Sequence, residues 1–287
     1  MNMIQTLKQS CYYKKIFAAS KQQIDQLFSI LKDDASKSAV KNMLRSYTTF
    51  FRPRSFFWEK AADRQCKTYH FTTEDGYKVC GVENQYFLSD LFNLEREDSV
   101  YLDGGAFTGD TIRQFVTATN GKFEQIYAFE PDEKNCAILK EQVEKAGLLQ
   151  RVKVFQMGMD CKDDRVQFSS SDASAHRGCA HIDESGDCEI SVVNTAVFLK
   201  MHADQPLTFM KLDIEGKEAD VLKNMADYLK EHKPDIAISI YHRLEDLWEL
   251  PLFIKSLSSD YEIAIRHNTN YFTETVCYAS TRANNGY

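Results

Sequence analysis

The stretch Ser99-Val100-Tyr101-Leu102-Asp103-Gly104-Gly105-Ala106-Phe107-Thr108-Gly109-Asp110-Thr111 decides how the chain is read. It predicts a short buried strand that stops at an acid, turns through glycines and restarts as a helix. Glycine accepts positive φ and lets a ligand approach the backbone closely. The helix start presents unpaired N–H groups and the positive end of a dipole. The acid ahead of the glycines selects among ligands. A carboxylate there is poorly placed for pyrophosphate and suits a molecule carrying an ammonium or sulfonium.

Outward from this stretch, strands and helices alternate, which predicts a parallel sheet covered on both faces. Ile126 to Phe129 reads as a second strand, ending at Glu130-Pro131, and Glu133 to Ala146 as a helix stopped by Gly147. Val152 to Gln156 is a third strand ending near Gly158, and Thr208 to Leu212 a fourth ending at Asp213-Ile214-Glu215-Gly216. Ile236 to Ile240 is a fifth, ending at Tyr241-His242, and Tyr261 to Arg266 with Thr275 to Ala279 form a closing pair. Cys161 to Glu189, with its run of serines, reads as an irregular active-site loop, since long insertions in compact α/β domains are usually functional.

Before the sheet, residues 1 to about 50 lack glycine and proline and carry Ile24, Leu27, Phe28 and Leu31, then Val40, Met43 and Leu44, at helical spacing. Two or three helices are expected, with capping of the site, homodimerisation or simple packing as roles open to them. Phe50 to Trp58 is an aromatic and basic run, read as an anchored linker rather than a base-stacking surface. Tyr69 to Phe71 and Tyr77 to Val82 flank Glu74-Asp75-Gly76, a hairpin signal. The expected division is a helical region over 1–60, a hairpin and connector over 61–97, and a catalytic domain over 98–287.

Of the 287 residues, 43% are hydrophobic, enough for a substantial core. The formal charge of −7 argues against a nucleic-acid partner, which needs a clustered basic face. No apolar run reaches the roughly 20 residues of a membrane span. Eight cysteines without a C-x-x-C pair read as reduced thiols, which places the chain in the cytoplasm. His176, Cys179, His181 and Cys188 match no zinc signature, and no metal is assigned.

In open α/β sheets a ligand lies beyond the carboxyl ends of the strands. Those ends carry Asp103 with Gly105 and Gly109, then Glu130, Gly158, and Asp213 with Glu215. Any one of these acids could be a helix cap. Acids at three ends are harder to explain that way, and a carboxylate at Glu130 can accept both hydroxyls of a ribose. A dinucleotide is the competing ligand, because Gly104-x-Ala106-x-x-Gly109 approaches the G-x-G-x-x-G pattern. Ala106 in the middle position and Asp103 facing the phosphates count against it.

Tyr101 to Thr111, Tyr127-Ala128-Phe129-Glu130-Pro131 and Met210-Lys211-Leu212-Asp213-Ile214-Glu215-Gly216 resemble, in order, the motifs of FkbM-type S-adenosylmethionine-dependent methyltransferases. Ile238 to Trp248 and Glu274 to Ala279 fit a bacterial branch of that family. The resemblance implies a class I methyltransferase fold, a seven-stranded mostly parallel sheet with helices on both faces. It also implies methyl transfer to a hydroxyl of a sugar, glycan or related natural product, with S-adenosylmethionine as cofactor. On matching positions Asp103, Gly105 and Gly109 would hold the methionine end, Glu130 the ribose, and Gly158 and Met159 the adenine side, with Asp213 also at the cofactor. A sugar hydroxyl is a poor nucleophile at neutral pH, so a general base is expected. Asp213 or Glu215 is favoured as base or acceptor anchor, and His242 comes next. An NAD-type oxidoreductase and a non-catalytic protein retaining the fold are the alternatives.

Overall fold

The computed structural model describes residues 3–48, 68–72, 78–82, 85–170, 181–182, 186–269 and 273–281. In chain order these carry α1 (Met3–Ala19), α2 (Lys21–Ile30), α3 (Asp34–Thr48), β1 (Thr68–Thr72) and β2 (Lys78–Val82). β3 (Val100–Gly104), α4 (Asp110–Ala118), β4 (Gln125–Phe129), α5 (Glu133–Lys145) and β5 (Val152–Phe155) follow. Next come β6 (Gly158–Asp160), β7 (Asp164–Ser169), β8 (His181–Ile182), β9 (Cys188–Asn194) and α6 (Thr195–His202). β10 (Phe209–Leu212), α7 (Glu218–Asn224), α8 (Ala226–His232), β11 (Asp235–Ser239), α9 (Asp246–Leu257), β12 (Glu262–His267) and β13 (Thr275–Ser280) complete the elements of the described residues. The aromatic run 50–58 and the turn 74–76 lie outside the described residues.

β3 and β10 are buried along their whole length, so neither has a solvent face to alternate with. β3 pairs in parallel with β4 and with β10, β4 with β5, and β10 with β11. The whole sheet has seven strands in the order β12-β13-β11-β10-β3-β4-β5. The order reverses beside β3, with β4 on one side and β10 on the other, and a ligand crevice opens at such a switch point.

The chain divides into two compact units, one of 1–68 with 239–279 and one of 69–238 with 280–287. In the first, Asp33 caps α3 by accepting from the Ser36 amide at 2.8 Å. Arg266 on β12 reaches the same carboxylate with both terminal nitrogens, Nη1 to Oδ1 at 3.1 Å and Nη2 to Oδ2 at 2.8 Å. Burial alone would raise the Asp33 pKa, but the bonds from Arg266 and Ser36 prevail and hold it at about 2.

In the second unit, Phe87 reaches into a core of Tyr101, Phe115 and Phe209, with ring centroids 5.5 to 5.7 Å away. Phe92 packs edge-on against Phe209 at 5.0 Å. This aromatic cluster fastens the segment ahead of β3 to the underside of the glycine turn's own strand and helix.

One expectation is corrected. Cys161 to Glu189 is not simply an irregular loop: β7, β8 and the start of β9 belong to a second sheet of order β6-β9-β7-β8. Val166 and Phe168 on β7 alternate with polar residues, as do Ile190 and Val192 on β9, and these four pack together with Ile182. Serine-rich composition hid a period-two pattern that half-buries a sheet.

Candidate active site

β3 ends at Gly104, and the chain turns at Gly105 with φ +76°. A Cβ there would stand 2.0 Å from the Asp213 carbonyl oxygen, so position 105 admits only glycine. Gly109 enters α4 with φ +91°, where a Cβ would meet Leu139 Cδ1 at 2.9 Å. The amides of Gly105 and Ala106 both donate to the Phe129 carbonyl, at 3.0 and 2.9 Å. The turn is therefore pinned to the end of β4 on one side and pressed against the end of β10 on the other.

Asp103 is fully buried. Its Oδ2 accepts from Thr111 Oγ1 at 2.5 Å, and its Oδ1 lies 3.2 Å from Lys211 Nζ. Lys211, also buried, donates to the carbonyls of Gly104 at 3.0 Å and Gly105 at 2.7 Å. Burial opposes the ammonium's charge, yet the carboxylates of Asp103, Asp213 and Asp110 outweigh it and hold the Lys211 pKa above its ordinary value. A buried charge pair of this kind persists only when its hydrogen bonds are well made, and here both carbonyls of the turn make them. Asp103 thus acts inward, shaping the glycine turn through Lys211 and Thr111.

Glu130 is buried at the end of β4. Its Oε2 accepts from the Phe107 amide at 2.9 Å and its Oε1 from the Asp132 amide at 3.0 Å. Burial raises its pKa to about 7, against the lowering effect of those two bonds. A carboxylate oxygen holding one N–H keeps a second lone pair, so Glu130 retains acceptor capacity for hydroxyls. One carboxylate joins the glycine turn to the next strand end.

Beyond β10 the chain makes a tight turn in which Glu215 has φ +55° and Gly216 φ +94°. The Asp213 amide donates to the Gly104 carbonyl at 3.1 Å, and Ile214's amide to Glu218 Oε1 at 2.8 Å. Asp213 is half-buried, and Tyr86 Oη donates to its Oδ2 at 2.9 Å. A non-glycine residue at positive φ is strained, and such residues concentrate at functional turns.

The second unit therefore brings together Asp103, Gly105, Gly109, Glu130, Asp213 and Glu215. Gly158 and Met159 lie on buried β6, where a Gly158 Cβ would stand 3.0 Å from Val192 Cγ1. Met159 Sδ closes on Gly104, 2.7 Å from where a Cβ would be, so the β6 side supports the floor of the turn. His242 follows β11 in the other unit, half-buried with its ring centroid 4.2 Å from that of Tyr241. His176 and Cys179 lie outside the described residues.

Tyr86 and Thr111 are the residues that sequence reasoning did not single out. Tyr86 stands next to Phe87 in an apolar run, and only the pairing of a core aromatic with a hydroxyl-bearing neighbour hinted at two different faces. Thr111 follows Gly109 by two, where the first turn of a helix can aim a hydroxyl back at the strand end.

A family model described as the methyltransferase FkbM domain matches residues 103–263. A crystal structure of an FkbM methyltransferase from Methylobacillus flagellatus KT aligns at a TM-score of 0.70 and 24% identity, over 92% of this chain and 60% of that chain. The present chain therefore spans only three fifths of that relative. An rRNA methylase from Streptococcus thermophilus aligns at a TM-score of 0.41 and 13% identity, over 65% of this chain and 87% of that one. TrmK of M. capricolum, in complex with S-adenosyl-homocysteine, aligns at 0.37 and 14%, over 64% and 62%. No curated protein matches the sequence.

Proposed function

Because the chain belongs to the FkbM methyltransferase family, we propose that it uses S-adenosylmethionine to methylate a hydroxyl oxygen of a sugar, glycan or related natural product. One observation carries the reading: the glycine turn is bonded to two acid-bearing strand ends, through Glu130 after β4 and Asp213 after β10. The residues present fit the cofactor. Glu130 offers a buried carboxylate with spare lone pairs for the ribose hydroxyls. Gly105 and Gly109 leave the turn without side chains, and α4 opens its N-terminus beside it. By the family resemblance Gly158 and Met159 would lie on the adenine side.

When bound, S-adenosylmethionine supplies a methyl carbon that its sulfonium makes electrophilic. The chain's contribution is to orient the acceptor and take its proton. Asp213, held by Tyr86, is the proposed base for the hydroxyl proton, which passes to its carboxylate. Glu215, set on a strained turn beside it, is the proposed anchor for the acceptor, and His242 is the next candidate for either role. Free thiols at Cys11, Cys136, Cys161, Cys188 and Cys277 support a reducing compartment such as the cytoplasm. Among the described residues no helix is long and apolar enough to cross a membrane.

Titration calorimetry with S-adenosylhomocysteine tests the cofactor assignment. Saturable binding to the wild type and its loss in Glu130→Ala are expected; a wild type that binds NADH and not S-adenosylhomocysteine would overturn it.

A further inference from the structure

We propose that Tyr86 is a positioning residue for Asp213, holding the carboxylate that takes the acceptor's proton; the inference rests on the role given to Asp213 above. Tyr86 lies outside the family-matched segment 103–263, on the stretch that leads into β3. Two contacts place it. Phe87 beside it is locked among Tyr101, Phe115 and Phe209, which fixes the backbone. Lys211 Nζ stands 5.3 Å from the Tyr86 ring centroid, within reach of a cation–π attraction that orients the ring.

With ring and backbone held, the hydroxyl donates to Asp213 Oδ2 at 2.9 Å. Tyr86 itself is 3% exposed and Asp213 half-buried, so the donor is shielded from competing water, and a bond to a charged acceptor is stronger than one to a neutral acceptor. The arrangement does two things to Asp213. It stops the carboxylate rotating away from the turn, and it favours the ionised form, which keeps the group unprotonated until the acceptor arrives while lowering its affinity for the proton. Lys211 links the two halves of the site, since the same ammonium holds the Gly104 and Gly105 carbonyls and faces Tyr86. The acceptor's end of the site is thereby tied to the cofactor's end through one buried cation.

The test is a carbon-13 NMR titration of aspartate carboxylates in the wild type, Tyr86→Phe and Asp213→Asn, each saturated with S-adenosylhomocysteine. Asp213→Asn identifies the signal by its disappearance. Tyr86→Phe removes one oxygen and keeps the ring. It is expected to raise the Asp213 midpoint by about one pH unit, a roughly tenfold change in proton affinity for the loss of one bond to a charged group. Replacing Tyr86 with 3,5-difluorotyrosine, a more acidic donor, is expected to lower the midpoint instead. A midpoint that neither variant moves, with S-adenosylhomocysteine bound, overturns the role of Tyr86 alone. A wild type that does not bind S-adenosylhomocysteine overturns the functional reading itself.

Discussion

Acidification from pH 8 to pH 6 is expected to weaken S-adenosylhomocysteine binding about tenfold, through Glu130. Its carboxyl is buried, and its pKa is raised to about 7 even though the amides of Phe107 and Asp132 both favour the ionised form. If ribose hydroxyls are accepted by the ionised carboxylate, binding follows the ionised fraction, which is about nine tenths at pH 8 and one tenth at pH 6. Folding responds with the opposite sign. The folded pKa lies above the ordinary value of 4.5, so the native state binds a proton that the unfolded chain releases. Between pH 7 and 4.5 the ligand-free protein therefore gains stability as pH falls, by up to about 3 kcal/mol from this group. Asp235, raised to about 6 by burial, adds a gain of the same sign between 6 and 3.8. Calorimetry at pH 8, 7 and 6, with thermal unfolding of the ligand-free protein alongside, reads both effects, and Glu130→Gln is the control for titration of the ligand. A dissociation constant that stays level from pH 8 to 6 in the wild type would refute the reasoning.

Gly105→Ala is expected to abolish S-adenosylhomocysteine binding, because its Cβ meets a backbone oxygen at 2.0 Å. Gly121→Ala, at φ +72° with nothing within 4 Å, should lose only the roughly 1–2 kcal/mol of left-handed strain in urea unfolding. Lys211→Met leaves Asp103 buried without its partner and is expected to lower stability by about 3–5 kcal/mol; adding Asp103→Asn should recover part of that loss in a double-mutant cycle. Asp33, held at about 2 by Arg266 and Ser36, contributes stability above pH 4 that is lost as pH falls toward 2. Acid unfolding of Asp33→Asn should lack that limb.

The sheet was readable because its strands are continuous apolar runs, and the runs ending at Asp103, Glu130 and Asp213 each stop at the carboxyl edge where ligands collect. Which acid faces inward was not readable. By residue type and position Asp103 suits a cationic ligand, yet a buried lysine from the fourth such strand already neutralises it, and spacing along the chain says nothing about a contact across two strands. The sheet of β6 to β9 was hidden for a different reason. Its apolar positions are few, and β7 and β9 are each partly exposed, so composition outweighed periodicity in reading it. Tyr86 was hidden because an aromatic beside an aromatic reads as core, and only the fold separates the ring that packs from the hydroxyl that reaches out.

The turn after β10 has a consequence for which substitutions the protein would tolerate by chance. At position 215 the backbone is left-handed, and glycine would relieve strain of about 1–2 kcal/mol there, as it does at Gly216 next to it. As far as backbone strain goes, drift therefore runs from glutamate to glycine at this site, and what the side chain contacts or does opposes it. In a library selected for folding alone, glycine should accumulate at 215; in one selected for methyl transfer, glutamate should persist. The difference between the two populations measures, at a single codon, how much conformational ease the protein forgoes to keep a carboxylate there.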